Sequence, residues 1–202
     1  MAVIHRRQKW MYLFEPHTAS RATQRVLVTI GGMQCGAHHD GVTQMRARLR
    51  QQHITEYDIC ATVRNPIDAL VTRYIKNNLE GLGFNEWVER NKIREPLTGL
   101  WRGANTYCWY ENLQGDLNHM FHRNSSNCSD FVLEHLDNDK TPGKQPWWTY
   151  PSNNMIDILL ERFKPFMTMF GYEFYREGGE PRMGIHAEAV KKWCKPVRFH
   201  KP

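Results

Sequence analysis

Paired cysteines are missing from this sequence. Its five cysteines, Cys35, Cys60, Cys108, Cys128 and Cys194, are odd in number and far apart, with no C-x-x-C among them. Neither a disulfide framework nor a cysteine zinc site is signalled, so reduced thiols, some of them buried, are expected. No stretch of about 18 apolar residues occurs, which excludes an ordinary transmembrane helix. The basic start, residues 1–10, is not followed by an apolar h-region, so no signal peptide is expected and a cytoplasmic location is the default. G-x-x-x-x-G-K-[ST] is absent, which argues against a Walker-type nucleotide kinase. There is no internal repeat and no low-complexity tract. Acidic residues are in deficit, 21 Asp and Glu against 27 Lys and Arg, for a net charge of +6. That excess suits an anionic partner: nucleic acid, a phosphorylated nucleotide or an acidic polymer. The basic runs are short, such as Arg46, Arg48 and Arg50, so a nucleic-acid stripe is not expected.

What is present is an alternation of strand-like and helix-like segments in a chain of 202 residues, long enough for one domain with additions. Residues 10–14 (WMYLF) suit a buried strand. Pro16 ends it, and a helix is expected over 21–30 with Ser20 as its N-cap. Gly31 and Gly32 break that helix. Residues 33–39 read as a short strand and loop, and 42–51 as a basic amphipathic helix. Residues 58–63 (DICATV) are the next strand, closed by Arg64-Asn65-Pro66. The spacing of Ile67, Leu70, Val71, Tyr74 and Ile75 predicts a helix over 67–79 with Pro66 near its first turn. A short helix over 85–90, a strand over 106–110 and a helix over 113–121 follow. Residues 124–128 and 137–146 read as loops. A helix over 153–169 carries Ile156, Leu159, Leu160, Phe163 and Phe166 on one face, with Pro165 expected to bend or end it and Gly171 to stop it. From Arg176 onward the chain is basic and Gly/Pro-punctuated, which reads as a peripheral extension. The expected architecture is α/β, a mostly parallel central sheet flanked by helices, with one domain over 1–175 and a basic extension over 176–202. Such sheets bind ligands at the carboxyl ends of their strands.

Two expected strand ends carry unusual polar residues. After the first strand, backbone amides at a helix start, with Thr18 and Ser20 as hydroxyl donors and His17 and Arg21 as cations, suit phosphate or sulfate. The ordinary alternative is a capped βα connection. After the strand over 58–63, Arg64 and, eight residues later, Thr72 can grip a phosphate together if the strand end packs beside the helix; a bidentate Arg suits that task. The ordinary alternative is a surface ion pair and a solvated Thr.

At these residues the sequence resembles the PAPS-dependent sulfotransferases. Pro16-His17-Thr18-Ala19-Ser20 is similar to the family's Pro-Lys-Thr loop with a hydroxyl close behind. Arg64-Asn65-Pro66, with Asp68, Leu70, Val71, Thr72 and Tyr74, is similar to its second motif, with Thr where Ser is usual. Phe163-Lys164-Pro165-Phe166 through Phe170-Gly171-Tyr172 resembles the closing helix and turn, and Glu111-Asn112-Leu113 with Asp116-Leu117 resembles a segment of some relatives. The likeness spans about residues 10–173. It implies a P-loop NTPase-like sulfotransferase fold of the carbohydrate-type family and transfer of a sulfuryl group from PAPS, leaving PAP. It places His17, Thr18, Ala19, Ser20, Arg21 and Ala22 on the 5′ side and Arg64 and Thr72 on the 3′-phosphate. His17 stands where the family has a catalytic Lys. A histidine of ordinary pKa about 6.5 is only partly charged at neutral pH, so Arg21 is an alternative cation.

Sulfuryl transfer needs a base for the acceptor hydroxyl. His39 in Cys35-Gly36-Ala37-His38-His39-Asp40 is the expected base, with His38 as the alternative and Asp40 as an orienting group. The stretch 138–148 (NDKTPGKQPWW) falls where a late loop closes over the nucleotide in the family. Lys144 is the expected phosphate contact there, with Lys140 and Thr141 as alternatives, and Trp147 or Trp148 as a stacking platform. Trp101, Trp109 and Trp193 read as packing. The acceptor is a hydroxyl, with a saccharide favoured over peptide tyrosine or a small molecule; no metal is implied. His17 in place of Lys leaves a non-catalytic nucleotide- or sulfate-binding protein on the same fold as the alternative.

Overall fold

The computed structural model describes residues 2–16, 18–35, 44, 45, 47, 57–96, 99, 102–121 and 143–196. The chain divides into two compact units. The first takes its described residues from 1–63, 98–139 and 191–202, and the second from 64–97 and 140–190.

The first unit is built on a five-stranded sheet. Its strands are β1 (Ala2–His5), β2 (Trp10–Leu13), β3 (Met33–Cys35), β4 (Asp58–Val63) and β5 (Thr106–Trp109), in the order β3-β1-β2-β4-β5. β1 runs antiparallel to β2, with Ala2 opposite Leu13 and His5 opposite Trp10, and antiparallel to β3. β2 and β4 pair in parallel, as do β4 and β5. The sheet is therefore mixed, not mostly parallel as expected. The physical reason is connection length. Four residues join β1 to β2 and allow only a hairpin, whereas long connections lead from β2 to β4 and from β4 to β5 and permit parallel return.

β1 lies in the basic start, residues 1–10; its Ala2, Val3 and Ile4 are buried. Helix α1 (Ser20–Thr29) packs near β1 and buries Ala22, Thr23 and Leu27. The break after it requires glycine. A Cβ on Gly32 would lie 2.3 Å from Val3 Cγ1 and 2.5 Å from the Leu27 carbonyl oxygen. Helix α4 (Leu113–Phe121) packs by β5 and follows a single 3-10 turn, Tyr110–Asn112. Trp10, Tyr12, Tyr107, Trp109 and Phe121 fill the core. Of the expected helix over 42–51, Gln44, Met45 and Ala47 are helical and the rest lies outside the described residues.

The second unit begins where β4 ends. Helix α2 (Pro66–Asn77) starts with proline in its first turn, and the Asn65 side chain accepts from the amides of Ile67 (3.0 Å) and Asp68 (3.1 Å). That cap satisfies two donors the helix itself cannot. Helix α3 (Phe84–Arg90) and helix α5 (Asn153–Phe170) join it. Ser152 caps α5 by accepting from the Met155 amide. Pro165 lies inside α5 and does not end it: Phe163, Phe166, Met167 and Phe170 are buried on both sides of it, and that packing offsets the lost backbone bond. Strands β6 (Tyr172–Glu177) and β7 (Glu180–Ile185) form an antiparallel hairpin through Gly178 and Gly179, and helix α6 (Ala187–Trp193) follows. The expected boundary at 175/176 falls inside β6; beyond it the described residues form the end of that strand, β7 and α6. Among the described residues, no helix is long and apolar enough to cross a membrane.

Candidate functional site

The site is built at the start of the second unit, on the first two turns of α2. Arg64 leaves the end of β4 and is 7% exposed. Its Nε donates to Oδ2 of Asp68 at 2.8 Å, and its Nη2 donates to the same oxygen. The other carboxylate oxygen, Oδ1, accepts from Nζ of Lys144, 76 residues away in sequence. Lys144 Nζ also donates to Thr72 Oγ1 at 3.0 Å and lies 3.4 Å from the Asp68 carbonyl oxygen. Thr72 is buried and gives its own proton to that carbonyl at 3.0 Å. Two cations are thus gathered around one carboxylate, with a hydroxyl on the backbone carbonyl of the same residue.

The electrostatics of Lys144 reflect this setting. Burial pushes its pKa down; the carboxylate of Asp68 opposes that, and the nearby charges of Arg64 and Lys76 add to the lowering. Attraction from one carboxylate does not outweigh desolvation and two like charges. An added anion would act in the same direction as Asp68, favouring the charged ammonium. The cluster is therefore suited to a phosphate or sulfate group, which accepts from guanidinium, ammonium and hydroxyl donors together.

Arg64, Thr72 and Lys144 were expected as phosphate contacts, and the structure brings all three together. It also adds Asp68. The sequence contained one signal for it, an Asp four residues after an Arg, but nothing local ties Asp68 to Lys144. Lys140 and Thr141 lie outside the described residues. The segment that carries Lys144 is shaped by Tyr150, whose hydroxyl accepts from the Gln145 amide at 3.0 Å. Trp147 is buried and meets Trp148 edge-on, and the Arg182 guanidinium lies 4.7 Å over the Trp148 ring. Trp109 is fully buried and Trp193 packs edge-on against Tyr107, as expected of packing residues; Trp101 is outside the described residues.

The other expected phosphate turn belongs to the first unit. Thr18 is buried, and its Oγ1 donates to the Glu15 carbonyl at 2.6 Å. Ser20 is not the N-cap. It is the first helical residue of α1, and the cap position is Ala19, in the left-handed region at φ 55°, with no side-chain capping bond. Ala19 therefore contributes no side-chain acceptor to the amides at this start. Arg21 is exposed and Ala22 is buried. His17, His38, His39 and Asp40 lie outside the described residues. Among the described residues, no group of three or more His, Cys, Asp or Glu side chains is placed to hold a metal ion. Compared with protein-family models, curated proteins and solved structures, the chain matches none.

Proposed function

We propose that this chain is a PAPS-dependent sulfotransferase on a P-loop NTPase-like α/β fold. The observation that carries the reading is the convergence of Arg64, Thr72 and Lys144 on one point of α2. The first two come from one motif and the third from a late loop, and the resemblance gives all three to phosphate. In this reading they hold the 3′-phosphate of the nucleotide. The amides at the start of α1, with Thr18, Ser20 and Arg21, take the 5′ side.

The chemistry is an in-line displacement at sulfur. The acceptor hydroxyl oxygen forms a bond to sulfur as the bond from sulfur to the 5′-phosphate oxygen breaks. His39 takes the acceptor proton, and PAP leaves with the electron pair. His17 or Arg21 stabilises the charge that develops on the leaving oxygen, a contribution of the kind that is usually large. A saccharide hydroxyl is the favoured acceptor.

The test is binding followed by turnover. Saturating PAP raises the unfolding free energy, by about 2.7 kcal/mol at 100 times Kd, and Arg64→Ala abolishes the effect. Radiolabelled PAPS then transfers sulfate to a carbohydrate acceptor, and His39→Ala stops the transfer. Absence of PAP stabilisation, with no change on Arg64→Ala, overturns the reading. His17 in place of Lys favours one other reading, a non-catalytic binder of the same nucleotide. PAP stabilisation without transfer to any acceptor decides for it.

A further inference from the structure

The described hydrogen bonds of Lys144 and Thr72 all stay within the α2 cluster. Lys144 Nζ has three donors, and they face Asp68 Oδ1, the Asp68 carbonyl and Thr72 Oγ1. Thr72 has one proton, and it goes to the Asp68 carbonyl. Two Arg64 donors, Nε and Nη2, go to Asp68 Oδ2. The groups that suit an incoming anion are thus turned onto an anion the chain already carries, and that carboxylate is itself largely buried, its side chain 19% exposed.

We infer that Asp68 is a resident counter-anion, an intramolecular competitor that masks the anion site and sets its affinity. The inference deepens the proposed function and rests on the reading of Arg64, Thr72 and Lys144 as an anion site. An incoming phosphate must take Lys144 from Asp68 Oδ1 and share Arg64 with Oδ2, and it then sits beside a carboxylate that repels it. Both effects weaken binding. In exchange, the cluster keeps its two cations paired and its segments in place when no ligand is bound, which avoids a buried uncompensated charge. The site is therefore a switch between an internal and an external anion. Ligand binding releases Lys144 from the side chain of Asp68.

Neutral variants of Asp68 separate this role from a purely structural one. Binding of PAP and of inorganic phosphate is measured by titration calorimetry on the full chain, for wild type, Asp68→Asn and Asp68→Ser. Circular dichroism verifies each fold, and the serine variant serves if the asparagine variant does not fold. The expected result is that the neutral variant binds both ligands at least tenfold more tightly than wild type. Adding Lys144→Gln then removes most of that gain. If wild type binds PAP and the folded neutral variants bind it equally or more weakly, the masking role is overturned while the nucleotide reading stands. If neither wild type nor any folded neutral variant binds either ligand, both readings fall. Failure of both neutral variants to fold makes Asp68 a structural ion-pair centre and overturns the masking role as well.

Discussion

Asp116, in the first turn of α4, is 3% exposed. Its Oδ2 accepts from the Trp109 amide at 2.7 Å and its Oδ1 from the Asn112 side chain at 2.8 Å. Burial raises its pKa, and these hydrogen bonds, with the charge of His119, only partly oppose the rise. The folded chain therefore holds this proton more tightly than the unfolded chain. Between the unfolded carboxyl range, about 3.9, and the raised folded value, the native state carries more protons, so stability falls as pH rises through that window. Asp116→Asn is expected to remove this part of the slope. Urea midpoints of both proteins from pH 3.5 to 7 measure it: the wild-type advantage shrinks as pH rises, and parallel curves contradict the assignment. Asp68 meets a different environment, two cations instead of amides, although it too lies in the first turn of a helix. Arg64 and Thr72 were legible as candidates because residue type and spacing mark them. The centring of the cluster on Asp68 was not, because its second cation comes from a loop 76 residues away.

Most strands and helices were legible for local reasons. Apolar spacing marks α2 and α5, and Pro66 marks the first turn of α2. β1, the β6–β7 hairpin and α6 were not. β1 is a run of three buried apolar residues among basic ones, too short to show a period. The β6–β7 hairpin is rich in charged residues and is held by its partner strand, so its sequence (YEFYRE, EPRMGI) has no continuous apolar face. The start of α1 differs from expectation because backbone shape decided it: Ala19 adopts the left-handed conformation and moves Ser20 into the helix. At the other end of a helix, Gly171 stops α5 with φ 69° and donates its amide to the Met167 carbonyl. A Cβ there would lie 2.4 Å from that of Ala189. Gly171→Ala is expected to destabilise the protein by about 1–2 kcal/mol from the left-handed backbone alone, and by more from the displacement of α6. Chemical denaturation reads this, and a loss below about 0.5 kcal/mol would contradict the steric argument.

At the scale of the whole molecule, the lack of a disulfide framework in the sequence has a structural counterpart. Cys60, Cys108 and Cys194 are buried free thiols, while Cys35 is half-buried. Burial pushes the pKa of Cys60 and Cys108 well up and that of Cys194 up to about 12, so these thiols stay protonated and unreactive at neutral pH. In a Cys35→Ser/Cys128→Ser variant, Ellman's reagent is expected to find no fast-reacting thiol in the native protein and three after guanidinium unfolding. Rapid reaction of any of the three in the native state contradicts the packing. What the sequence by itself determined is the α/β alternation, the apolar faces of the longer helices and the Arg-Pro-hydroxyl pattern around Arg64. These depend on residues within a turn or two of one another. The tertiary structure alone decided the mixed direction of the sheet and the meeting of Lys144 with Asp68 and Thr72. Both depend on long loops closing, and the free energy that closes them comes from packing distributed over the core.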